Sequence, residues 1–343
     1  MSSNQITARI ALDAMGGDRA PYETVRGSAE ALEKDPQLHV TLVGVVERIR
    51  AELEALPKPL DPTRYTIVDA RQVVASGDAA SAAVRMKDNS IRRAAELVAS
   101  GEADGMVAAG NTGATVAAAL FGIGLIPQVK RPGIAVPLPT AEGLAVMCDA
   151  GANIHPKPLH LFQYGVMASG FAERVLEKPR PRVGLLNVGS EEGKGTDLER
   201  ETAALFHSSS LNFIGNIEGN DIFNGRADVI VCDGFVGNVV LKTAEGLYEV
   251  MSNRLKGLFT ALEGTPGSTG VSEAVRTFRR NMDYAEHGGA PLLGINGIVM
   301  ISHGRSDARA IRNALIGAAG VHRRGVLSAM IQGLQSGNSR SLK

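Results

Sequence analysis

Short apolar runs that each break into a polar, glycine-rich turn and then a helix-length segment constrain this chain more than any other feature. Arg9–Asp13, His39–Val43, Tyr65–Val68, Gly105–Ala109, Val183–Asn187, Asn212–Ile214, Val229–Cys232 and Gly297–Ile301 read as strands. A few mostly apolar residues bounded by turn residues suit a strand buried on both faces. Between them, helices are predicted from Pro21 to about Lys34, over Glu47–Leu56, Ser81–Met86, Ser90–Ser100 and Ala114–Ile126, from Pro158 to Glu177, and from about Val239 onward. Ser90 is the expected cap of its helix, and Gly101 its stop. Ile134–Pro137 and Leu144–Cys148, with Thr140–Gly143 as the turn, form the one hairpin signal. Alternation of this kind builds right-handed βαβ crossovers. The predicted fold is therefore α/β: a three-layer α/β/α arrangement with a mostly parallel sheet, spanning 1–343 as a single two-lobed domain whose tail frays at 336–343.

In such sheets ligands collect outside the carboxyl ends of the strands. Six polar segments, 13–18, 110–113, 149–153, 188–196, 233–238 and 302–307, follow strands directly and are expected to meet at one cleft. In the segment Val183 to Asp197, a strand leads through glycines flanking Lys194 to a helix capped by Thr196 or Asp197. Unpaired N–H groups at a helix start attract anions, and a lysine adds a mobile cation. The spacing is not that of a nucleotide-hydrolase loop, because Gly189 and Gly193 are too close and Gly195, not a hydroxyl residue, follows Lys194. An ordinary solvated loop satisfies the same sequence.

The other segments carry candidates of similar ambiguity. Asn111, Thr112 and Gly113 stand at a helix start as an anion site or a plain cap. Asp233 and Gly234 open a tight turn that ends at Asn238, whose amide suits a developing oxyanion or an N-cap. Asp13 and Asp18 bracket two glycines, to order the cleft or only to cap turns. His303 and Arg305 place an imidazole and a guanidinium side by side, the latter suited to phosphate.

Composition removes several classes of function. Basic and acidic residues number 36 each, so no global field recruits nucleic acid. The two cysteines, Cys148 and Cys232, end apolar runs and read as buried reduced thiols. No metal-ligand spacing, serine nucleophile elbow or dinucleotide fingerprint is found, so neither metal nor cofactor is expected. The polar start and the lack of any run of about 18 apolar residues predict a cytoplasmic chain. A stripe of Leu247, Val250, Met251, Leu255, Leu258, Phe259 and Leu262 follows on the long helix. Gly264–Gly270 interrupts it before a partner helix over Ser272–Met282 that carries Arg276, Arg279 and Arg280. This protruding helical pair, about 239–282, suits core or dimer packing, or an acidic partner or anionic lipid surface.

Taken in order, several stretches resemble the phosphate acyltransferase family. They are Ile10–Asp18, Ala109–Ala114, Arg182–Ser190 with Lys194-Gly195, Asn212–Asn216, Cys232–Lys242, Gly288–Gly294 and Ser302–Gly304. The resemblance implies transfer of a long-chain acyl group from acyl-acyl carrier protein to inorganic phosphate. It also implies a fold similar to phosphotransacetylases and isopropylmalate-type dehydrogenases, a homodimer, and peripheral association with the inner face of the membrane. A downstream glycerol-3-phosphate acyltransferase would then use the product. Lys194 and Asn238 fall where the family's proposed catalytic lysine and asparagine stand. The competing expectations are a phosphotransacetylase acting on acyl-coenzyme A, and a non-catalytic scaffold at the membrane surface.

Overall fold

Alternate residues of the first strand enter opposite cores. Ile10 and Leu12 join the cluster that holds Val107, Val183 and Leu185, whereas Ala11 joins the cluster of Met106, Ala108 and Val299. A period of two on a sheet covered on both faces leaves no position for a polar side chain in mid-strand, which is why these runs are almost wholly apolar. The computed structural model describes residues 5–260 and 288–341.

The elements run β1 (Ala8–Asp13), α1 (Tyr22–Lys34), β2 (Leu38–Gly44), α2 (Val46–Glu54), β3 (Tyr65–Asp69), α3 (Ala82–Arg85), α4 (Ser90–Ala99), β4 (Gly105–Ala109) and α5 (Thr112–Ala118). A π turn, Ala119–Ile123, extends α5. There follow β5 (Gly133–Thr140), β6 (Gly143–Cys148), α6 (Pro158–Val175), β7 (Arg182–Leu186), α7 (Asp197–His207), β8 (Asn212–Ile217), β9 (Val229–Val231) and α8 (Gly234–Thr260). After residue 287 come β10 (Ala290–Leu293), β11 (Ile298–Ser302), α9 (Ala308–Arg323) and α10 (Val326–Ser341).

Among the described residues, eleven strands form one sheet in the order β3-β2-β1-β4-β11-β10-β5-β6-β9-β7-β8. The five strands from β3 to β11 are mutually parallel, as are the four from β6 to β8. Three antiparallel pairings in succession, β11 with β10, β10 with β5 and β5 with β6, join the blocks. The two parallel blocks therefore run in opposite directions. Helices α1, α6, α9 and α10 cover one face, where Tyr164, Phe162 and Phe206 are the largest buried side chains. Helices α3, α4 and α5 cover the other. Among the described residues no helix is long and apolar enough to cross a membrane.

The structure corrects several boundaries. Asn89, not Ser90, caps α4, its side-chain oxygen accepting from Arg92 N at 2.9 Å. The β5–β6 hairpin forms as expected, but β10 and β11 make a second antiparallel pair that the pattern hid. Helix α5 starts two residues early, at Thr112, with its chain-terminal turn widened to π geometry before Gly124. Helix α10 extends to Ser341, into the segment 336–343 named above as a tail. Leu247, Val250 and Met251 of the predicted stripe are exposed. The side chains of Leu258 and Phe259, Leu262 and the partner helix with its three arginines lie outside the described residues.

Candidate active site

Asp149, fully buried at the end of β6, organises the middle of the sheet's edge. Its carboxylate accepts from the backbone amides of Ile134 (2.9 Å), Gly151 (3.1 Å), Ala152 (3.0 Å) and Asn153 (2.7 Å). Burial pushes its carboxyl above the usual carboxylate range, and these four amides pull it back. Asn153 passes the order outward, donating to Tyr164 Oη at 2.8 Å and to the Pro132 carbonyl at 2.6 Å.

The first turn of α8 docks on this hub. Gly234 N donates to the Asn153 carbonyl at 2.9 Å. Gly237 lies so close that a Cβ would run into the Asp149 carbonyl oxygen. Asp233 caps the helix, its Oδ1 accepting from Phe235 N at 2.8 Å and Val236 N at 3.0 Å. The segment expected as a loop up to Asn238 is therefore helical from Gly234, and Asn238 projects from the helix rather than capping it. Gly234 and Gly237 resemble loop formers in the sequence, but close packing is what requires them. Asn238 lies beside Gly151, where a Cβ would sit 3.8 Å from its Oδ1.

A cavity of about 660 Å³ opens in front of this turn. Its lining includes the apolar Val116, Ala117, Leu120 and Phe121 of α5 and its π turn and Ile134 and Val136 of β5. It also includes the polar Asn238, Lys242 and Glu245 of α8, Ser302 at the end of β11, and His303 and Ser306 in the turn that follows. Asn238, Lys242 and Glu245 share a helix face at i, i+4 and i+7. Lys242 Nζ pairs with Glu245 Oε2 at 2.8 Å. Sequence reasoning missed both, because a helix started at Val239 conceals a spacing counted from Asn238. Half-burial lowers the His303 pKa, and the charges of Lys242 and Arg305 lower it further against Glu245 and Asp18.

Of the predicted site residues, Thr112, Gly113, Gly234, Asn238 and His303 line this cavity. Asn111 does not, because its side chain is committed to structure: Oδ1 accepts from Ala114 N at 2.9 Å, and Nδ2 donates to the Asp78 carbonyl at 2.7 Å. Asp13 is buried and outside the lining, and burial pushes its carboxyl up to about 6 against hydrogen bonds from Ser90, Met15 and Gly16. Asp18 is exposed, and its N–H donates to the Gly304 carbonyl at 2.8 Å, tying the β1 and β11 turns together. Arg305 and Asp233 lie outside the lining.

Lys194 also lies outside it. Its loop is held largely by its own residues and by β8: Asn187 Nδ2 donates to the Lys194 carbonyl at 3.1 Å, and Asn216 Nδ2 to the Glu191 carbonyl at 2.9 Å. Thr196 caps α7 in a reciprocal pair with Glu199. The lysine side chain is 51% exposed, with Glu191 3.9 Å from its Nζ. Four of the six predicted segments thus contribute to the cavity, and 13–18 and 188–196 do not. Cys148 and Cys232 are buried, and burial raises both thiols well above their usual range. Among the described residues no group of three or more His, Cys, Asp or Glu side chains is placed to hold a metal ion.

A family model described as fatty acid synthesis protein matches residues 8–329. The chain is 46% identical over 331 residues to the phosphate acyltransferase of Desulforamulus reducens, covering 96% of this chain and 98% of that one. It is 49% identical over 313 residues to the phosphate acyltransferase of Desulfitobacterium hafniense, covering 90% and 92%. Among solved structures, a phosphotransacetylase from Streptococcus pyogenes matches 97% of this chain and 95% of its own, with a TM-score of 0.62 and 19% identity. A phosphotransacetylase from Staphylococcus aureus matches 94% and 95%, with a TM-score of 0.62 and 16% identity. At those identities the two structures speak for the fold alone.

Proposed function

The chain belongs to the phosphate acyltransferase family, whose members move an acyl group onto phosphate, and we propose that its donor is a long-chain acyl-acyl carrier protein. The observation that carries this reading is a cavity whose lining combines apolar side chains of α5 and β5 with polar side chains of α8 and the β11 turn. An acyl chain removes apolar surface from water against the first set, while the thioester and phosphate meet the second.

Phosphate is its own nucleophile, so positioning and charge stabilisation replace an activated serine or cysteine. A phosphate oxygen attacks the thioester carbonyl, the C–O bond forms, the C–S bond breaks, and the carrier's thiolate leaves and is protonated. Asn238 donates its amide to the tetrahedral oxyanion, an interaction worth on the order of 2.7–4 kcal/mol in comparable sites. Lys194, long and half-exposed, supplies positive charge to the acidic reactants. The uncovered Leu247, Val250 and Met251 of α8 are the surface we assign to a homodimer and to peripheral contact with the membrane.

The test is phosphate-dependent release of free carrier protein from palmitoyl-acyl carrier protein, with palmitoyl-coenzyme A run in parallel. Release from the carrier-protein donor is expected. Release from coenzyme A alone would make the enzyme a phosphotransacetylase in its donor choice, and release from neither would leave a non-catalytic surface protein.

A further inference from the structure

Two serines at the cavity are among four described residues, with Asn216 and Ser252, that carry a buried side-chain oxygen without a hydrogen-bond partner. Ser302 and Ser306 are 6% and 8% exposed, and neither Oγ has a hydrogen-bond partner. Buried hydroxyls are almost always partnered, because leaving one unmade forfeits its hydration. Both residues line the cavity, and they stand on one turn, where Ser306 N donates to the His303 carbonyl at 2.9 Å. Lys242 also lines the cavity, and its charge is felt at His303 between the two serines in the chain. Two unspent hydroxyl donors and an ammonium on residues that line one cavity have the chemistry of a receptor for a small tetrahedral oxyanion.

We propose that the acceptor phosphate binds in this corner, with Ser302 Oγ and Ser306 Oγ donating to its oxygens and Lys242 balancing its charge. The proposal rests on the acyl-transfer reading above and adds to it where the nucleophile is held. It puts the phosphate's countercharge, Lys242, on the same helix as Asn238, one turn away, so that this charge and the oxyanion donor are positioned by one rigid element. Glu245 sets a competing role for Lys242: the ammonium is held at 2.8 Å by its carboxylate until phosphate shares it. The polar phosphodiester of a carrier-protein arm would suit the same groups, so the experiment must separate the two sources.

Steady-state constants for both substrates are measured in Ser302→Ala, Ser306→Ala, the double variant, and Lys242→Met beside Lys242→Arg. Hydrogen bonds to a charged ligand predict a rise in the phosphate KM of roughly tenfold or more for each serine, with the donor KM unmoved. Lys242→Arg is expected to recover part of what Lys242→Met loses. Unchanged phosphate KM in the double variant overturns the proposal, and a rise confined to the donor KM reassigns the corner to the carrier arm. A second measurement does not need turnover: inorganic phosphate raises the Tm of the unmutated protein by preferential binding to the native state, and the double serine variant loses that rise. Should the unmutated enzyme refuse acyl carrier protein and still show the phosphate-dependent rise, the donor assignment fails and the phosphate corner stands. No rise in the unmutated protein at phosphate levels that saturate turnover overturns the corner itself.

Discussion

Asn238 and Lys194 are paired by their chemistry and separated by their surroundings. Asn238 grows from a helix whose first turn is packed onto Asp149 with no room for a Cβ at Gly237, and its side chain lines the cavity. Lys194 rides on a loop that is closed by its own hydrogen bonds, with Gly193 facing open space and Nζ tethered only loosely to Glu191. Both follow a strand of the same parallel block, β9 and β7. A strand–glycine–helix sequence therefore indicates where a polar group will emerge, but the packing of the next turn decides whether that group is aimed. The packed position suits transition-state stabilisation, which demands fixed geometry. The loose one suits charge, which acts at a distance and tolerates motion.

The largest effect is expected at the packed position. Asn238→Ala should lower kcat by about 10²–10³-fold with little change in the donor KM, as loss of an oxyanion donor does. Next comes the buried acid Asp13. Burial pushes its carboxyl up to about 6 in the folded chain from an ordinary 3.8, so folding takes up a proton between those values. Stability falls as pH rises from about 4 to about 6 and stays lower above, by roughly 3 kcal/mol for this group. Denaturant titrations of Asp13→Asn should show that part of the pH slope removed, and an unchanged slope would assign it elsewhere.

Smaller effects probe the contrast itself. Gly237→Ala should cost about 1–3 kcal/mol or more in denaturant unfolding, because the methyl meets backbone that cannot retreat. Lys194→Ala should lower kcat/KM by roughly tenfold, and the deficit should shrink as salt screens the exposed charge. A loss as large as that of Asn238→Ala, insensitive to salt, would break the comparison by showing that the loop works inside the cavity. Gly193→Ala should be neutral within about 0.5 kcal/mol, since nothing lies within 4 Å of the added methyl.

Much of the architecture was legible because burial on both faces leaves unbroken apolar runs. Strands β1, β4 and β7 start within a residue of where those runs begin, and β5 and β6 end at the turn chemistry that defines them. Strand β10 was not legible: Pro291 interrupts a four-residue run, and Gly288 and Gly289 before it suggest a loop. Pairing with Met300 of β11 and with β5 makes it a strand, and such long-range support leaves no local mark. The site divides in the same way. Local chemistry pointed to Asn238, His303 and Thr112, all of which line the cavity. It could not reveal that the Asn111 amide is consumed by the carbonyls of residues 75 and 78, far away in the chain. Nor could it reveal Ser302 and Ser306, whose significance lies in what they do not touch.

Helix α8 runs 27 residues from Gly234 to Thr260, a rod of about 40 Å. Asn238 stands near its root, and the bare Val250 and Met251 stand about 20 Å further along. A stiff rod transmits displacement from one end to the other. Whatever grips those apolar residues holds the handle of a lever whose short arm carries the reacting geometry. One continuous helix thus joins the bare residues at its outer end to the packed turn that aims Asn238.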